Sequence, residues 1–121
     1  MPELTGANLG LKHGYALAET GWHDGQEANL VRLDTLVQLS VLDRDLTAPP
    51  GSSAAGNRYL VGPSATGPWA GKDGQIALDI NGGWAFYVPK KGWLCVVEDE
   101  GKLIRCTGVS PSITWSAGIA I

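Results

Sequence analysis

One segment of the sequence, residues 24–46, has the pattern typical of a helix. Apolar side chains recur within it at intervals of three or four residues, at Leu30, Leu33, Val37 and Val41. Asp24 and Glu27 match a capping box at its start, because they stand three residues apart ahead of the apolar run. Pro49 then stops helical backbone, so the pattern predicts one central amphipathic helix over about 24–46.

The apolar surface of this predicted helix is too wide for burial on a single core. Leu36 and Leu39 project well away from the row of apolar side chains described above. Such a helix can be buried on one side by its own domain and on the other by copies of itself. We therefore predict an oligomer interface at Leu30, Leu33, Val37 and Val41; the alternative is a helix deep in a monomeric core.

Two further regions flank the predicted helix. Residues 1–23 contain glycine every few positions and show no sustained apolar period, which indicates an arm that is frayed or laid in extended form on another protein. Short strand patterns separated by turns follow the Pro-rich connector. The predicted organisation is an attachment arm over 1–23, an oligomerisation stalk over 24–48 and an antiparallel β module over 54–121.

Turn signals set the expected pairing within the β module. Asn81-Gly82, between two strand patterns, is the strongest short hairpin signal in the chain. A second hairpin about Glu100-Gly101 would place Cys95 opposite Cys106. We expect two buried, reduced thiols, with a cross-strand disulfide as the alternative. The uncharged tail over 117–121 is expected to be covered, either by the chain itself or by a partner.

The composition supports a folded α+β domain and argues against two classes of partner, nucleic acids and membranes. Hydrophobic residues make up 44% of the 121 residues and charged residues 17%, which argues against a disordered chain. The formal net charge of −3 argues against nucleic acid as a partner, since phosphate backbones need a basic surface. No apolar run reaches the roughly 18 residues of a membrane helix, so we expect no membrane span.

The residues that could perform chemistry do not form a recognisable catalytic or metal site. His13 and His23 both lie in the N-terminal region, without the closely spaced ligands of a metal site or the nucleophile elbow of a hydrolase. No C-x-x-C pair supports redox chemistry. We therefore expect a protein that is not an enzyme, with no catalytic residue, no metal and no cofactor.

The tryptophans are the residues with a candidate binding role. Indole faces stack on the apolar faces of sugar rings, and they supply contact area at a small entropic cost. The candidate glycan contacts are Trp69, Trp84 and Trp93, each beside a turn or a strand end. The alternative is that these side chains fill the core of a small module, in a chain that has one Phe and one Met.

Several strings of the sequence, distributed over residues 8–108, resemble a family of phage, prophage and gene-transfer-agent proteins, many of them described as tail-fibre components. The most specific string spans residues 43–50 and reads Asp-Arg-Asp-Leu-Thr-Ala-Pro-Pro. The resemblance continues through residues 56–62 and through residues 82–87. It implies a virion protein on the exterior of a phage particle, at its tail or head, made in the host cytoplasm.

The resemblance also implies a function and partners. We expect a non-enzymatic structural protein, such as a short tail fibre, spike or baseplate-associated subunit, that forms homotrimers. Other virion proteins would bind it through the N-terminal arm, and a bacterial surface polysaccharide would contact its β module. The alternatives are a capsid decoration or head-fibre protein, and a carbohydrate-binding module without a virion role.

Overall fold

The computed structural model describes residues 4–109 and 112–121. The chain forms two compact units, Met1–Gln38 and Leu39–Ile121, which we call the helical unit and the β unit. The helical unit contains β1 (Leu4–Thr5), β2 (Lys12–His13) and α1 (Trp22–Leu36). The described part of the β unit contains β3 (Ser40–Val41), β4 (Arg58–Leu60), β5 (Ile76–Ile80), β6 (Gly83–Tyr87), β7 (Leu94–Val97), β8 (Lys102–Gly108), β9 (Thr114–Trp115) and β10 (Ile119–Ala120). The protein is therefore mixed α+β, as predicted.

The N-terminal segment folds onto the helix of its own unit. Strands β1 and β2 pair antiparallel. Asn29 of α1 makes two hydrogen bonds to the backbone of Lys12 in β2. Its Oδ1 accepts from the Lys12 amide at 2.7 Å, and its Nδ2 donates to the Lys12 carbonyl at 2.9 Å. The structure does not show the extended arm predicted over residues 1–23, because Leu9 and Lys12 are bonded to α1 of the same unit, and residues 1–3 lie outside the described residues. The attachment role stays a prediction.

The helix is shorter than predicted. It begins at Trp22, preceded by Gly21 in left-handed backbone with a φ of 90°, so Asp24 lies in its first turn and is not the cap. It ends at Leu36, and Gln38, with a φ of 55°, turns the chain into β3. The predicted helical segment over 37–46 is wrong, because pairing in the sheet outweighs the helical spacing of its apolar residues.

A three-stranded antiparallel sheet forms the middle of the β unit, in the order β4-β5-β6. The hairpin predicted at Asn81-Gly82 is confirmed: Ile80 pairs with Gly83, and both turn residues have positive φ, 54° and 74°. Such backbone matches the twist of the flanking strands, and Asn-Gly tolerates it well. Strand β5 is buried on both of its faces from Ile76 to Leu78, so the sheet is covered on two sides.

The second sheet of the β unit is mixed, in the order β10-β8-β7-β3, with β9 also paired to β8. Strand β3, which lies outside the predicted module over 54–121, runs parallel to β7. The strand pairs described within 54–121 are antiparallel, as predicted. Backbone bonds connect the two sheets, since the Leu42 amide donates to the Arg58 carbonyl at 2.9 Å and the Leu60 amide donates to the Asp43 carbonyl at 3.0 Å.

The β7–β8 hairpin differs in register from the prediction. Cys95 pairs with Ile104, because the turn uses the four residues 98–101 where two were expected. Cys95 and Cys106 consequently share a face without facing each other. Both thiols are free and buried, in agreement with the expected reduced state.

The C-terminal tail is covered along its backbone but not over its side chains. Strand β10 pairs with β8, and the Ile121 amide donates to the Gly101 carbonyl at 3.0 Å. Ile119 nevertheless remains 66% exposed and Ile121 71% exposed. The described part of the chain therefore leaves these two side chains uncovered, and their coverage by a partner stays a prediction.

Candidate functional site

The four residues predicted to form an oligomer interface do not share one helix face. Leu30 and Leu33 lie on α1, where Leu30 is 61% exposed and Leu33 is half-buried. Val37 follows the helix in extended backbone and is 52% exposed. Val41 is fully buried in β3, so it is not available to a second copy and its assignment to the interface is corrected to the core of the β unit.

The exposed apolar side chains of α1 instead follow a row that begins at its first residue. Trp22 is 52% exposed and precedes Leu33 by eleven residues, close to three helical turns. Leu30 follows Trp22 by eight residues and lies about 80° round the helix from it. Gln26 lies between them, and Leu33 lies beside them on the same side of the helix. We call Trp22, Leu30, Leu33 and Val37 the apolar row. Sequence reasoning missed Trp22, because the predicted start of the helix excluded it.

A different side of α1 is occupied by the N-terminal segment. The phenol of Tyr15 lies so close to Gly25 that a methyl group there would overlap its oxygen. Asn29 binds β2, and the Arg32 Nη1 donates to the Leu9 carbonyl at 3.2 Å. The positions 25, 29 and 32 recur at helical spacing, so this covered side differs from the apolar row. The sequence signal for it was a Gly, an Asn and an Arg three and four residues apart.

The three candidate glycan-contact tryptophans lie in different environments. Trp69 ends a 3₁₀ turn over Gly67–Trp69 and is completely buried, so its indole offers no face to a ligand and the residue belongs to the core alternative. Trp84 lies on β6 and Trp93 precedes β7; both are half-buried. The structure brings Trp69 and Trp84 together and leaves Trp93 on the other sheet.

Trp69 and Trp84 belong to an aromatic cluster on one side of the three-stranded sheet. The rings of Trp69 and Trp84 meet nearly at right angles, with centroids 5.2 Å apart. Tyr59 contacts both, at 5.8 Å from Trp69 and 6.0 Å from Trp84. Edge-to-face packing of this kind is favourable beyond the burial of area alone. Phe86 packs against the same cluster and is half-buried.

An ion pair connects three separate segments of the β unit. Arg44 donates to both carboxylate oxygens of Glu100, at 2.9 and 2.8 Å, and to the carbonyls of Ser116 and Ala117, at 3.0 and 2.8 Å. The hydrogen bonds with Glu100 raise the pKa of Arg44, and those with Arg44 lower the pKa of Glu100. Sequence reasoning placed Glu100 in the turn of a hairpin and missed this contact.

Acidic side chains gather beside this ion pair. Carboxylate oxygens of Asp43, Asp45 and Asp99 lie within 4.8 Å of one another. Partial burial raises the pKa of Asp99, and the neighbouring carboxylates of Asp43, Glu100 and Asp45 raise it further. The group is exposed for the most part, and acidic residues at adjacent turns commonly gather in this way without binding a cation.

The environments of the two thiols and the two histidines give these side chains little chemical reactivity. Burial raises the pKa of Cys95 to about 12 and also raises the pKa of Cys106, so both stay protonated and unreactive near neutral pH. His13 and His23 are exposed, and the Nδ1 of His23 lies 3.5 Å from the Asp24 carboxylate.

A cleft of about 380 Å³ opens beside the Arg44 ion pair. Its polar side chains are engaged within the protein: Asp73 accepts from the amides of Ser64 and Ala65, and the Trp115 indole donates to the Gly74 carbonyl. The apolar part of its lining comes from Leu60, Val61, Pro63, Ile113 and Trp115.

The fold and these surfaces define the class of the protein: a small α+β protein with a helical unit, a β unit and an exposed apolar row on its helix. The chain belongs to the family described as Protein of unknown function (DUF2793), whose model matches residues 26–110. The match crosses from α1 into the β unit and spans most of the chain. A search of the curated proteins found no match.

The family description assigns no activity, so the particle context expected from the resemblance stays a prediction. No helix in the described part of the chain has the length and hydropathy that crossing a bilayer requires.

Proposed function

We propose that this protein is a non-enzymatic structural subunit of a phage-like particle, and that copies of it assemble as a homotrimer through the apolar row of α1. A short tail fibre, spike or baseplate-associated subunit on the exterior of the virion fits this role, as does a decoration protein of the head. The supporting observation is the exposure of three large apolar side chains, Trp22 and Leu30 on α1 and Val37 directly after its end.

Few apolar side chains are buried in the described part of the helical unit, although such side chains usually hold a helix in place. Among its described residues, Leu36 is the one large apolar side chain that is buried, while Asn29 and Thr35 are buried polar residues. Tertiary packing of an apolar face supplies most of the stability of a helix in a protein. A unit with its larger apolar side chains exposed gains that stability when a partner covers them.

Copies of the same chain are the partner that the charge pattern favours. The apolar row contains no charged residue, so identical rows can meet about a symmetry axis without placing like charges together. Such a seam, formed by large apolar residues at helical spacing, is the arrangement that stabilises parallel helical bundles.

Contact with other particle proteins requires a surface outside this seam. Leu17, in the segment between β2 and α1, is fully exposed at the edge of a shallow groove that also includes Tyr15 and Ala18. Because the segment that precedes α1 is bonded to that helix, we place the attachment surface at this segment, about Leu17, and not at an extended arm.

The experiment compares the chain and two variants in particle assembly. Leu30→Asp places a charge in the apolar row, and Ala28→Asp places the same charge at an exposed position on another side of α1. Each chain is produced in cells that also make the phage-like particles, which are then separated on a density gradient. We expect the unmodified chain and Ala28→Asp to sediment with the particles, and Leu30→Asp to remain at the top.

Two results would contradict the proposal. The first is an unmodified chain that stays at the top of the gradient, which removes the particle role. The second is Leu30→Asp incorporated as efficiently as Ala28→Asp, which removes the apolar row as the assembly surface.

A further inference from the structure

The aromatic cluster of the β unit presents part of its surface outward, and the proposed assembly does not use it. Trp84 and Phe86 stand two residues apart on β6, so both point to the same side of the sheet. Tyr59 on β4 and Ala77 on β5 are in register with Phe86, which places the two neighbouring strands on that side as well. Both outward rings are half-buried, so each keeps exposed area.

Trp84 is held in one orientation by the rings beneath it. Its indole meets that of Trp69 at 87° and that of Tyr59 at 64°, and Trp69 is itself completely buried. A ring fixed in this way loses little conformational entropy when a ligand stacks on it, which favours binding.

Charged groups lie beside the two outward rings. Asp79 pairs with Trp84 across the β5–β6 ladder and is half-exposed. The Lys72 ammonium lies 5.1 Å from the centroid of the Phe86 ring. Aromatic surface with a carboxylate and an ammonium at its edge suits a ligand that has an apolar face and a rim of hydroxyl groups.

The cluster also contains a polar atom without a partner. The indole Nε1 of Trp69 is buried and has no hydrogen-bond acceptor in the described part of the structure. An unpaired buried donor is unfavourable, and few such atoms occur in a folded protein. The aromatic cluster thus combines an exposed stacking surface with a buried indole N–H that has no hydrogen-bond acceptor. Among the described residues, Trp93 has no such buried and unsatisfied atom.

We propose that this surface, formed by Trp84 and Phe86 with Asp79 and Lys72 at its edge, binds a pyranose ring of a polysaccharide. The sugar stacks on the exposed area of the Trp84 indole, and its hydroxyl groups donate to Asp79 and accept from Lys72. Trp69 supports the surface from below, and Trp93 takes no part. The site lies within the β unit and is independent of the assembly role.

The test is isothermal titration of the purified protein with four saccharides: cellohexaose, chitohexaose, dextran and the O-chain of a bacterial lipopolysaccharide. We expect at least one of them to bind. Trp84→Ala should weaken that binding about tenfold, as for a central aromatic contact. Trp93→Ala, which changes another half-buried tryptophan on the other sheet, should leave the affinity unchanged.

A second variant guards against a folding defect in Trp84→Ala. Asp79→Ala removes only the carboxylate at the edge of the surface, and it should weaken binding about threefold while the circular dichroism spectrum is retained. The proposal is overturned if none of the four saccharides binds, if Trp84→Ala and Asp79→Ala both bind like the unmodified chain, or if Trp93→Ala loses as much affinity as Trp84→Ala. None of these results bears on assembly through α1.

Discussion

The helical unit and the β unit differ in how far they bury their large apolar side chains. In the β unit, large side chains such as Trp69, Ile76 and Ile104 are completely or almost completely buried. In the helical unit, Trp22 and Leu30 are more than half exposed. The difference shows that apolar content along a sequence does not by itself locate a core. The β unit builds a core and still leaves side chains such as Val88 and Ile119 exposed, whereas Leu36 is the one large apolar side chain buried among the described residues of the helical unit.

The two units also differ in what holds their segments together. Backbone ladders join the strands of the β unit around a buried apolar interior. The hairpin of the helical unit is attached to α1 through polar groups, chiefly the paired bonds between Asn29 and Lys12. Hydrogen bonds contribute less net free energy than buried apolar area of comparable extent, so the helical unit is expected to be the less stable of the two.

The largest expected effect is on the β unit. Ile76→Ala empties a completely buried site, and we expect the free energy of unfolding to fall by about 2–5 kcal/mol in chemical denaturation. Ile119→Ala is the matched control, because the same truncation at a mostly exposed position should change stability by less than about 0.5 kcal/mol. Equal losses for the two variants would contradict the contrast in burial.

The next effect is expected in the helical unit. Asn29→Ala removes both bonds to the Lys12 peptide, so we expect a local loss of about 1–3 kcal/mol. The measurement is hydrogen exchange at the Lys12 amide, which should become much faster. Asn57→Ala, in the β unit, should leave that amide protected, and unchanged exchange in Asn29→Ala would show that other contacts hold the hairpin.

The smallest effect concerns the dependence of stability on pH. The hydrogen bonds with Arg44 lower the pKa of Glu100, so the ion pair contributes stability above the unfolded-state pKa and loses it as pH falls through the folded-state pKa. Asp99 acts in the opposite sense, because burial and neighbouring carboxylates raise its pKa and protonation relieves both.

Thermal unfolding of Glu100→Gln isolates the ion-pair contribution. Between about pH 5 and about pH 3, the melting temperature of the unmodified chain should fall further than that of Glu100→Gln, because the variant has no ionised partner to lose. Parallel curves for the two proteins would show that the ion pair adds nothing to stability.

The strands of the β unit could be predicted from turn chemistry. Asn81-Gly82 gave both the position and the register of its hairpin, since positive φ at two successive residues favours this pair. The hairpin at Glu100-Gly101 was placed correctly but paired two residues out of register. A four-residue turn and a two-residue turn leave the same side chains on the same face, so apolar patterning could not distinguish them.

The end of the helix could not be predicted, because neither Gly nor Pro marks it. Gln38 adopts the left-handed backbone that usually selects Gly, and the following residues pair with β7 in parallel. A contact between residues so far apart in the chain leaves no local signal. The burial of Leu39 and Val41 on either side of Ser40 does fit a strand, but the helical spacing obscured it.

The sequence predicted which type of residue could bind a ligand, and the structure then distinguishes these residues by their environments. Composition directed attention to the tryptophans, yet it could not tell the buried Trp69 from the half-exposed Trp84. The contribution of Asp79 and Lys72 depends on strand register and on a loop, neither of which the sequence specifies. Leu30, Leu33 and Val37 of the apolar row were among the residues predicted from the sequence, whereas Trp22 was missed because the predicted helix began after it.

Assembly through α1 is tested most directly by the molar mass of the purified chain in solution, measured by sedimentation equilibrium over a range of concentrations. The account predicts a species of three times the mass of one chain, converted to single chains by Leu30→Asp and unaffected by Ala28→Asp. A single chain at every concentration, with Trp22 and Leu30 still exposed, would contradict it.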